Sequence, residues 1–481
     1  MRRGGLVAPL MATRRLRALT DSVTLAQRQR ELEGRLQETE PGWLPRISGP
    51  RKAIEPRTQN VVMHLLKASL PERQSGYTIR SRETLHAQRA AGLEPFVVTP
   101  VGYPPAHDGV TVTDLELVDD IPHHRLQPGT ATYGLSSDAI LSRTAAMAAE
   151  VARRERPAII QAASGHRGYE IALVGLALRE HLVRPLVYEV RGFLESAWTS
   201  DPDLAESAEW SRRRYATELR VMAGADAITT LSIAMRDELL ERGAPAAKIV
   251  VVPNGIDPSA FSPMRPDAGL RRRYGLQERW VFGYVSNMDH VREGHETLID
   301  AAAQMVRAGR AVTCLLVGDG TRRASLEARA AASGVGDAVV FTGRVPYAEV
   351  PAHYALLDAF VVPRLPDRAA RFVTPLKPYE AMAMGLPLVV SEMPALTEIA
   401  APDERGLSFP VGDVPALVAT LEQLMDRPEL GDRMGAAGRA WVLTERTWAA
   451  DGQRYRELYS SVLERFDPTT LTAEPAWGTP S

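Results

Sequence analysis

Val312-Thr313-Cys314-Leu315-Leu316-Val317-Gly318-Asp319-Gly320 is the segment on which the fold turns. Six apolar or β-branched residues read as a buried strand, which closes on a Gly-x-Gly turn before an amphipathic stretch at 321–332. A strand running straight into a helix is half of a parallel β-α unit. The rhythm continues on both sides, with strands expected at 280–285, 338–341, 359–362 and 386–390. Between the first two, Leu298, Ile299, Ala302, Met305 and Val306 share one helical face, the face that packs on a sheet. Ahead of the charged segment 265–279 lies an earlier series of strands, at 61–66, 96–99, 159–163, 186–190, 227–231 and 249–252. The chain therefore reads as two separate α/β units.

Length agrees, since 481 residues exceed the roughly 250–300 at which a single core stops growing. With 24% charged residues and a formal net charge of -2, nothing advertises a nucleic-acid partner. The single cysteine, Cys314, lies in an apolar run, which excludes an intrachain disulfide and a cysteine-based metal site. No apolar run approaches the roughly 20 residues of a membrane span. Met1-Arg2-Arg3 and the apolar stretch after it imitate a signal peptide, but Pro9 interrupts the run and Arg14, Arg15 and Arg17 follow at once. The expected location is the cytoplasm, with the inner face of a membrane as an alternative, because a basic N-terminus can touch anionic lipid. Residues 1–57 read as an extension, with a helix at 13–39 carrying Leu25, Leu32 and Leu36 on one side, then a Pro/Gly-rich stretch. That stripe either packs on the body of the chain or pairs with a second copy in a homodimer. An amphipathic stretch at 448–466 has no strand after it and is expected to cross back to the first domain.

Ligands of open parallel sheets bind beyond the carboxyl ends of the strands. Gly318 and Gly320 close one strand there and let backbone approach a ligand, although such a turn is also an ordinary strand-to-helix connection. The segment from Pro363 to Gly385 is denser. A helix starting near Pro375 aims its N-terminal N–H groups at an anion, and Arg364 and Lys377 add full charges that suit a pyrophosphate. Glu380, about one and a half turns inside that helix, is either a solvated carboxylate or a bidentate acceptor for vicinal hydroxyls. His166 follows a strand end and is equally a cleft residue or a structural histidine. Asp201-Pro202-Asp203 imitates a metal-binding Asp-x-Asp but follows no strand and reads as a helix cap. Asp119, Asp120, His123 and His124 could be drawn as a metal cluster, but adjacent histidines rarely converge and Pro122 suggests a loop.

The run from Trp280 to Ile399 resembles the C-terminal domain of glycosyltransferase family 4, retaining enzymes of the GT-B fold. The matching pieces occur in the family's order: Phe282-Gly283-Tyr284-Val285, Gly294-His295-Glu296-Thr297-Leu298-Ile299-Asp300-Ala301, Val317-Gly318-Asp319-Gly320, Phe341-Thr342-Gly343-Arg344-Val345-Pro346, then Tyr354, and Glu380-Ala381-Met382-Ala383-Met384-Gly385. Earlier, Ser75-Gly76-Tyr77-Thr78-Ile79-Arg80, Tyr188-Glu189-Val190-Arg191-Gly192 and Val252-Pro253-Asn254-Gly255-Ile256-Asp257 look like family segments too. The likeness is nearest to a subgroup associated with bacterial exopolysaccharide and capsule genes.

The resemblance implies an α/β, GT-B architecture of two facing Rossmann-like domains. The expected divisions are an extension at 1–57, an acceptor domain at 58–265, a nucleotide-sugar donor domain at 266–447, and a returning helix with a tail at 448–481. It implies Glu380 on the donor ribose, Thr374, Pro375, Leu376 and Lys377 near the diphosphate and sugar, and the base beside Gly343, Arg344 and Val345. Gly76, with Tyr77, belongs to the loop facing the diphosphate, and Arg191 stands where the family has a histidine touching the donor sugar. Glu398 stands where the family often has a glutamate at a helix start, so that helix capping and ligand contact both fit it. The sequence also departs from the pattern, because Asn287 and Glu293 occupy the places of a phosphate-binding arginine and lysine, and Phe372 that of a first glutamate. Arg364 and Lys377 are expected to compensate. The resulting expectation is a retaining, metal-independent transferase without a cofactor, moving a sugar from a UDP-sugar, or a GDP-sugar, to a hydroxyl or amine of a glycan, lipid-linked sugar or small molecule. Two alternatives stay open: a catalytically atypical relative that binds nucleotide-sugars or couples a cyclitol, and an epimerase.

Overall fold

A computed structural model describes residues 4–105, 113–127, 134–194, 199 and 201–471. Arg2, Arg3 and the tail at 472–481, both part of the sequence reading, lie outside the described residues. The chain divides into two compact units, one of Met1–Leu231, Arg236–Val252 and Asp451–Ser481, the other of Ser232–Met235 and Pro253–Ala450.

In the first unit the strands are β1 (Val61–Leu65), β2 (Glu94–Thr99), β3 (Leu115–Val118), β4 (Ile121–Arg125), β5 (Ile159–Ala163), β6 (Leu186–Val190), β7 (Ala227–Thr230) and β8 (Ile249–Val251). They form one sheet in the order β3-β4-β2-β1-β5-β6-β7-β8, parallel except for the β3–β4 hairpin. Every residue of β1, β5, β6 and β7 is buried, as befits strands covered by helices on both faces. The hairpin corrects the loop expected around Pro122. Asp119 and Asp120, both at positive φ, make a two-residue turn whose twist suits a hairpin, and the chain continues as a strand. His123 and His124 alternate across that strand and so point to opposite faces, while Asp119 bonds Arg82 and His86.

The extension holds two helices where one was expected, Val7–Arg17 and Val23–Glu38. Ser22 divides them, its hydroxyl accepting from the Leu25 N–H as an N-cap. Folding back lets Leu6, Leu10 and Leu32 bury themselves together on Trp210, so the stripe packs on the body of the chain. Asp201 likewise caps a helix, accepting from the Leu204 N–H at 3.2 Å. The last helix, Trp448–Arg465, sends Tyr455, Leu458, Tyr459 and Val462 into a core with Val62, Ile159 and Val187.

The second unit's strands are β9 (Trp280–Val285), β10 (Val312–Val317), β11 (Val339–Phe341), β12 (Ala359–Val362), β13 (Leu388–Ser391) and β14 (Gly406–Phe409). They lie all parallel in the order β11-β10-β9-β12-β13-β14. The sequence reading missed β14, whose Gly-Leu-Ser-Phe carries too few β-branched residues to signal itself. Cys314 is buried in β10, and burial pushes its thiol far up, away from thiolate chemistry.

Three interior histidines tie this packing to pH. Burial depresses His64, His123 and His295 to about 4, against an ordinary 6.5. The unfolded chain then binds protons that the folded chain refuses, so stability is retained above about 6.5 and lost as pH falls toward about 4. Thermal melts across that window should show a slope to which these three groups contribute up to three protons on unfolding, and His64→Gln should remove about one of them. An unchanged slope in that variant would contradict the assignment.

Candidate active site

Strand order reverses between β9 and β12, the place where a parallel sheet opens a crevice. The chain leaves β9 through 286–294 and leaves β12 through 363–367, and the two loops are welded together. Gly294 sits at φ +73 with its Cβ position 1.9 Å from the Pro363 carbonyl oxygen, so no larger residue fits. The Leu365 N–H donates to the Arg292 carbonyl at 2.8 Å. This contact brings Glu293 against Arg364. The guanidinium donates through Nε at 3.3 Å and Nη2 at 3.2 Å, and the Tyr284 hydroxyl donates to the same carboxylate at 2.6 Å. Burial pushes Glu293 up, but the Arg364 charge and the bonds from Tyr284 and Arg364 outweigh it and hold the carboxyl below its ordinary range. Burial likewise disfavours the charged Arg364, and Tyr284 and Glu293 reverse the effect. Arg364, expected as a phosphate cation, thus has its charge offset by the carboxylate that stands in place of a lysine.

The helix expected near Pro375 begins at Lys377 and runs to Ala383, with Pro378 in its first turn. Glu380 is therefore in the first turn, not one and a half turns in. The buried Tyr354 hydroxyl donates to Glu380 Oε2 at 2.7 Å, and Oε1 accepts from no described residue. Lys377, half-buried, has no carboxylate partner among the described residues. Just ahead, Thr374 and Pro375 are buried, the Thr374 carbonyl accepts from Asn254 Nδ2 at 2.9 Å, and Leu376 is the N-cap residue.

The Gly-x-Gly turn serves its own protein. A Cβ at Gly318 would stand 1.9 Å from the Ser286 carbonyl oxygen and one at Gly320 2.4 Å from the Met288 carbonyl carbon, so the close approach is to the loop after β9. The Gly320 and Thr321 N–H groups go to Asp319 and Asp289 carboxylates, each at 2.8 Å, and the helix starts only at Arg323. Gly343 bridges to Gly318, Arg344 is exposed, and Val345 packs against the core. Asn287 is exposed, its side-chain oxygen accepting from the Asp289 N–H at 3.4 Å. Glu398 does not start a helix but lies inside Pro394–Ala400, and it accepts from the N–H groups of Ile233 and Ala234, each at 3.1 Å.

In the first unit the order reverses between β1 and β5. Lys67, just beyond β1, donates to the Gly165 carbonyl at 2.9 Å and lies 4.5 Å over the Tyr77 ring. The Arg191 guanidinium lies at the same distance, 4.5 Å, over that ring. Arg191 is no free cation, since it donates to Glu189 at 2.8 Å, Ser81 Oγ at 2.6 Å and the Tyr77 carbonyl at 3.1 Å. Glu189, fully buried, also receives Arg80, Gln161 and Tyr455, and although burial pushes its carboxyl up, the two guanidiniums drive it far below the ordinary range. Burial lowers Lys67 to about 8, with Arg191 and Arg73 adding to the effect. His166 lies on the loop after β5 with its surface reaching solvent, and the desolvation of its ring by the surrounding loop, together with the charge of Lys67, lowers its pKa. Gly76 is exposed and opens the helix Gly76–Ala90 behind the Ser75 cap, with nothing within 4 Å of its Cβ position.

Sequence reasoning missed the partners Lys67, Glu293 as a carboxylate for Arg364, and Tyr354 as the donor to Glu380. The pairing of Glu189 with Arg191 could have been found, because residues two apart on a strand share a face.

Two family profiles match: "Glycosyl transferase 4-like domain" over residues 75–255 and "Glycosyl transferases group 1" over 279–427. The GDP-mannose-dependent alpha-(1-6)-phosphatidylinositol monomannoside mannosyltransferase of Mycolicibacterium smegmatis is 31% identical over 298 residues, 61% of this chain and 75% of that protein. The 2-deoxystreptamine glucosyltransferase of Streptomyces kanamyceticus is 31% identical over 234 residues, 48% of this chain and 59% of that protein. Among solved structures, sucrose-phosphate synthase from Thermosynechococcus elongatus superposes with a TM-score of 0.66 at 22% identity, covering 84% of this chain and 99% of that one. Anabaena Alr3699/HepE in complex with UDP gives 0.65 at 18% identity, over 83% of this chain and 99% of that one.

Glu293→Gln leaves the Arg364 guanidinium buried without a counter-charge. It should lower stability by roughly 3–5 kcal/mol, the scale for breaking a buried pair from one side. Denaturant titration measures this, and a loss under about 1 kcal/mol, the range of a surface pair, would mean that the pair is solvated.

Proposed function

This chain belongs to the family 4 type of glycosyltransferases with the GT-B fold, and from that premise we propose a retaining, metal-independent transfer from a nucleotide-diphosphate hexose bound by the second unit. Membership makes it a glycosyltransferase that uses a nucleotide-sugar donor. The observation that carries the rest is the first turn of the helix Lys377–Ala383, which offers an ammonium with no carboxylate partner among the described residues and, three residues on, a carboxylate with one oxygen held by Tyr354. A ribose can donate its vicinal hydroxyls to Glu380, whose orientation is already fixed. The diphosphate then lies by Lys377, which supplies charge to the leaving group without a metal.

Arg364 orients rather than neutralises, because Glu293 offsets its charge. On this reading the acceptor oxygen forms its bond to the anomeric carbon on the face from which the nucleotide leaves. The carbon–phosphate-oxygen bond breaks, and the departing phosphate oxygen takes the acceptor's proton. Base and acceptor follow the relatives, of which one is named as GDP-mannose-dependent and acts on a phosphatidylinositol monomannoside, and another glucosylates 2-deoxystreptamine. GDP therefore stands beside UDP as a donor base, and the acceptor group is a hydroxyl of a polyol or sugar. The lysine and arginine missing at Glu293 and Asn287 favour the second reading, an atypical relative with a weakened donor site.

Calorimetric titration of UDP, GDP, ADP and CDP without magnesium should show one preferred nucleotide, with binding lost in Glu380→Ala. Lys377→Ala should cut turnover by roughly a hundred- to a thousandfold, the scale for one preorganised electrostatic donor. Near-full activity in Lys377→Ala would overturn its role. Failure of every nucleotide to bind would put the atypical relative first.

A further inference from the structure

Thirteen large apolar side chains are exposed among the described residues, and five of them fall between Val7 and Val23. Val7 is 43% exposed, Met11 53%, Leu16 52%, Leu19 80% and Val23 81%. They are not scattered. Helix Val7–Arg17 buries Leu10 and Thr13 inward, with Leu6 just ahead of it, and leaves Val7, Ala8, Met11, Ala12, Arg15 and Leu16 on the outer arc, all exposed. The inner face is fixed to its own unit by Leu6 and Leu10 on Trp210. The Leu6 N–H donates to Glu209 at 2.9 Å, and the Trp210 N–H to the Gly4 carbonyl at 2.8 Å. The outer face is therefore held toward solvent by the packing behind it.

Charge decides what covers such a face. Across the two helices of the extension, residues 7–38, six arginines stand against four acids, of which Glu31 and Glu33 pair with Arg28 and Arg14. Arg14 bonds Glu33 at 2.7 Å and Arg17 bonds Gln29 at 3.1 Å, whereas Arg15, within the apolar arc, has no protein partner among the described residues. A second copy of the chain seated on this face would bring Arg15 and its neighbours against their own kind. An anionic bilayer supplies both what the apolar residues need and the opposite charge. No helix among the described residues is long and apolar enough to cross a membrane, so the helix would lie in the interfacial plane.

We propose that the outer face of the helix Val7–Arg17, with Leu19 and Val23 beyond it, docks the enzyme on a membrane surface rich in anionic lipid. Val7, Met11, Leu16, Leu19 and Val23 enter the headgroup–acyl boundary, and Arg15 and Arg17 meet lipid phosphates. The inference is independent of the donor-site reading, since it uses residues outside both family profiles.

Flotation of the full chain with phosphatidylcholine vesicles, and with vesicles of equal parts phosphatidylcholine and phosphatidylglycerol, tests it. Binding should require phosphatidylglycerol and fall with added salt. Met11→Asp with Leu16→Asp, and separately Arg15→Glu with Arg17→Glu, should each weaken partition by roughly tenfold or more, with thermal melts unchanged because these side chains are exposed. Should the aspartate variant unfold, the arginine variant alone decides. Binding to neither vesicle, equal binding to both, or wild-type partition in the arginine variant would overturn the proposal. So would a concentration-dependent dimer that Met11→Asp abolishes, which would make the occupant a second copy.

Discussion

Backbone has to touch backbone where the loops of the second sheet converge. The turn after β10 lies against the loop after β9 through Gly318, and that loop lies against the segment after β12 through Gly294. Each contact places a carbonyl oxygen where any side chain's Cβ would stand. The three strand ends are thereby fixed relative to one another at the reversal of strand order, the point where ligands of parallel sheets bind. Glu293 and Arg364 inherit their positions from that convergence. Glu293 immediately precedes Gly294, Arg364 immediately follows Pro363, and neither could reach the other if the loops stood one side chain further apart.

The convergence also explains the altered charges. A carboxylate at 293 would repel any anionic ligand of this crevice if it stood alone. With Arg364 and the Tyr284 hydroxyl on it, the carboxylate is consumed inside the protein, and Lys377 is left without an acidic partner among the described residues. One turn of helix then presents a positive charge and a polarised carboxylate side by side, a suitable combination for a nucleoside diphosphate, which carries hydroxyls at one end and anionic oxygens at the other.

The first unit solves a different problem. Its interior holds a carboxylate with two guanidiniums, and the set survives burial only because each member is bonded: Arg80 also to the Val252 carbonyl, Arg191 also to Ser81 and Tyr77, and Glu189 to both arginines and Gln161. Tyr455, which donates to Glu189, and Tyr459, which donates to Gln161, bring the last helix into the same network, so the returning chain is held by polar bonds as well as by its apolar stripe. Lys67 and Arg191 each lie 4.5 Å from the centre of the Tyr77 ring, so the ring joins a half-buried ammonium to the buried Arg191–Glu189 pair.

Periodicity is a local property, and what depends on it was legible in the sequence: two α/β units, the apolar strands that build them, the inward face of Leu298 to Val306, and the ordered motifs that mark the family. Where local signals were weak or ambiguous the reading slipped. Asp-Asp replaced the usual glycine turn of the β3–β4 hairpin, Gly-Leu-Ser-Phe scarcely resembles a strand, and Ser22 divided a helix that composition alone left continuous. The sequence by itself determined which charged residues stand at strand ends. Tertiary structure decided which of them meet a partner: Arg364 finds Glu293 across 71 residues, Glu380 finds Tyr354 across 26, and Lys377 finds no carboxylate among the described residues. The reason is physical, because a side chain's electrostatic state is set by whatever the fold brings within a few ångströms of it, and no spacing along the chain records that.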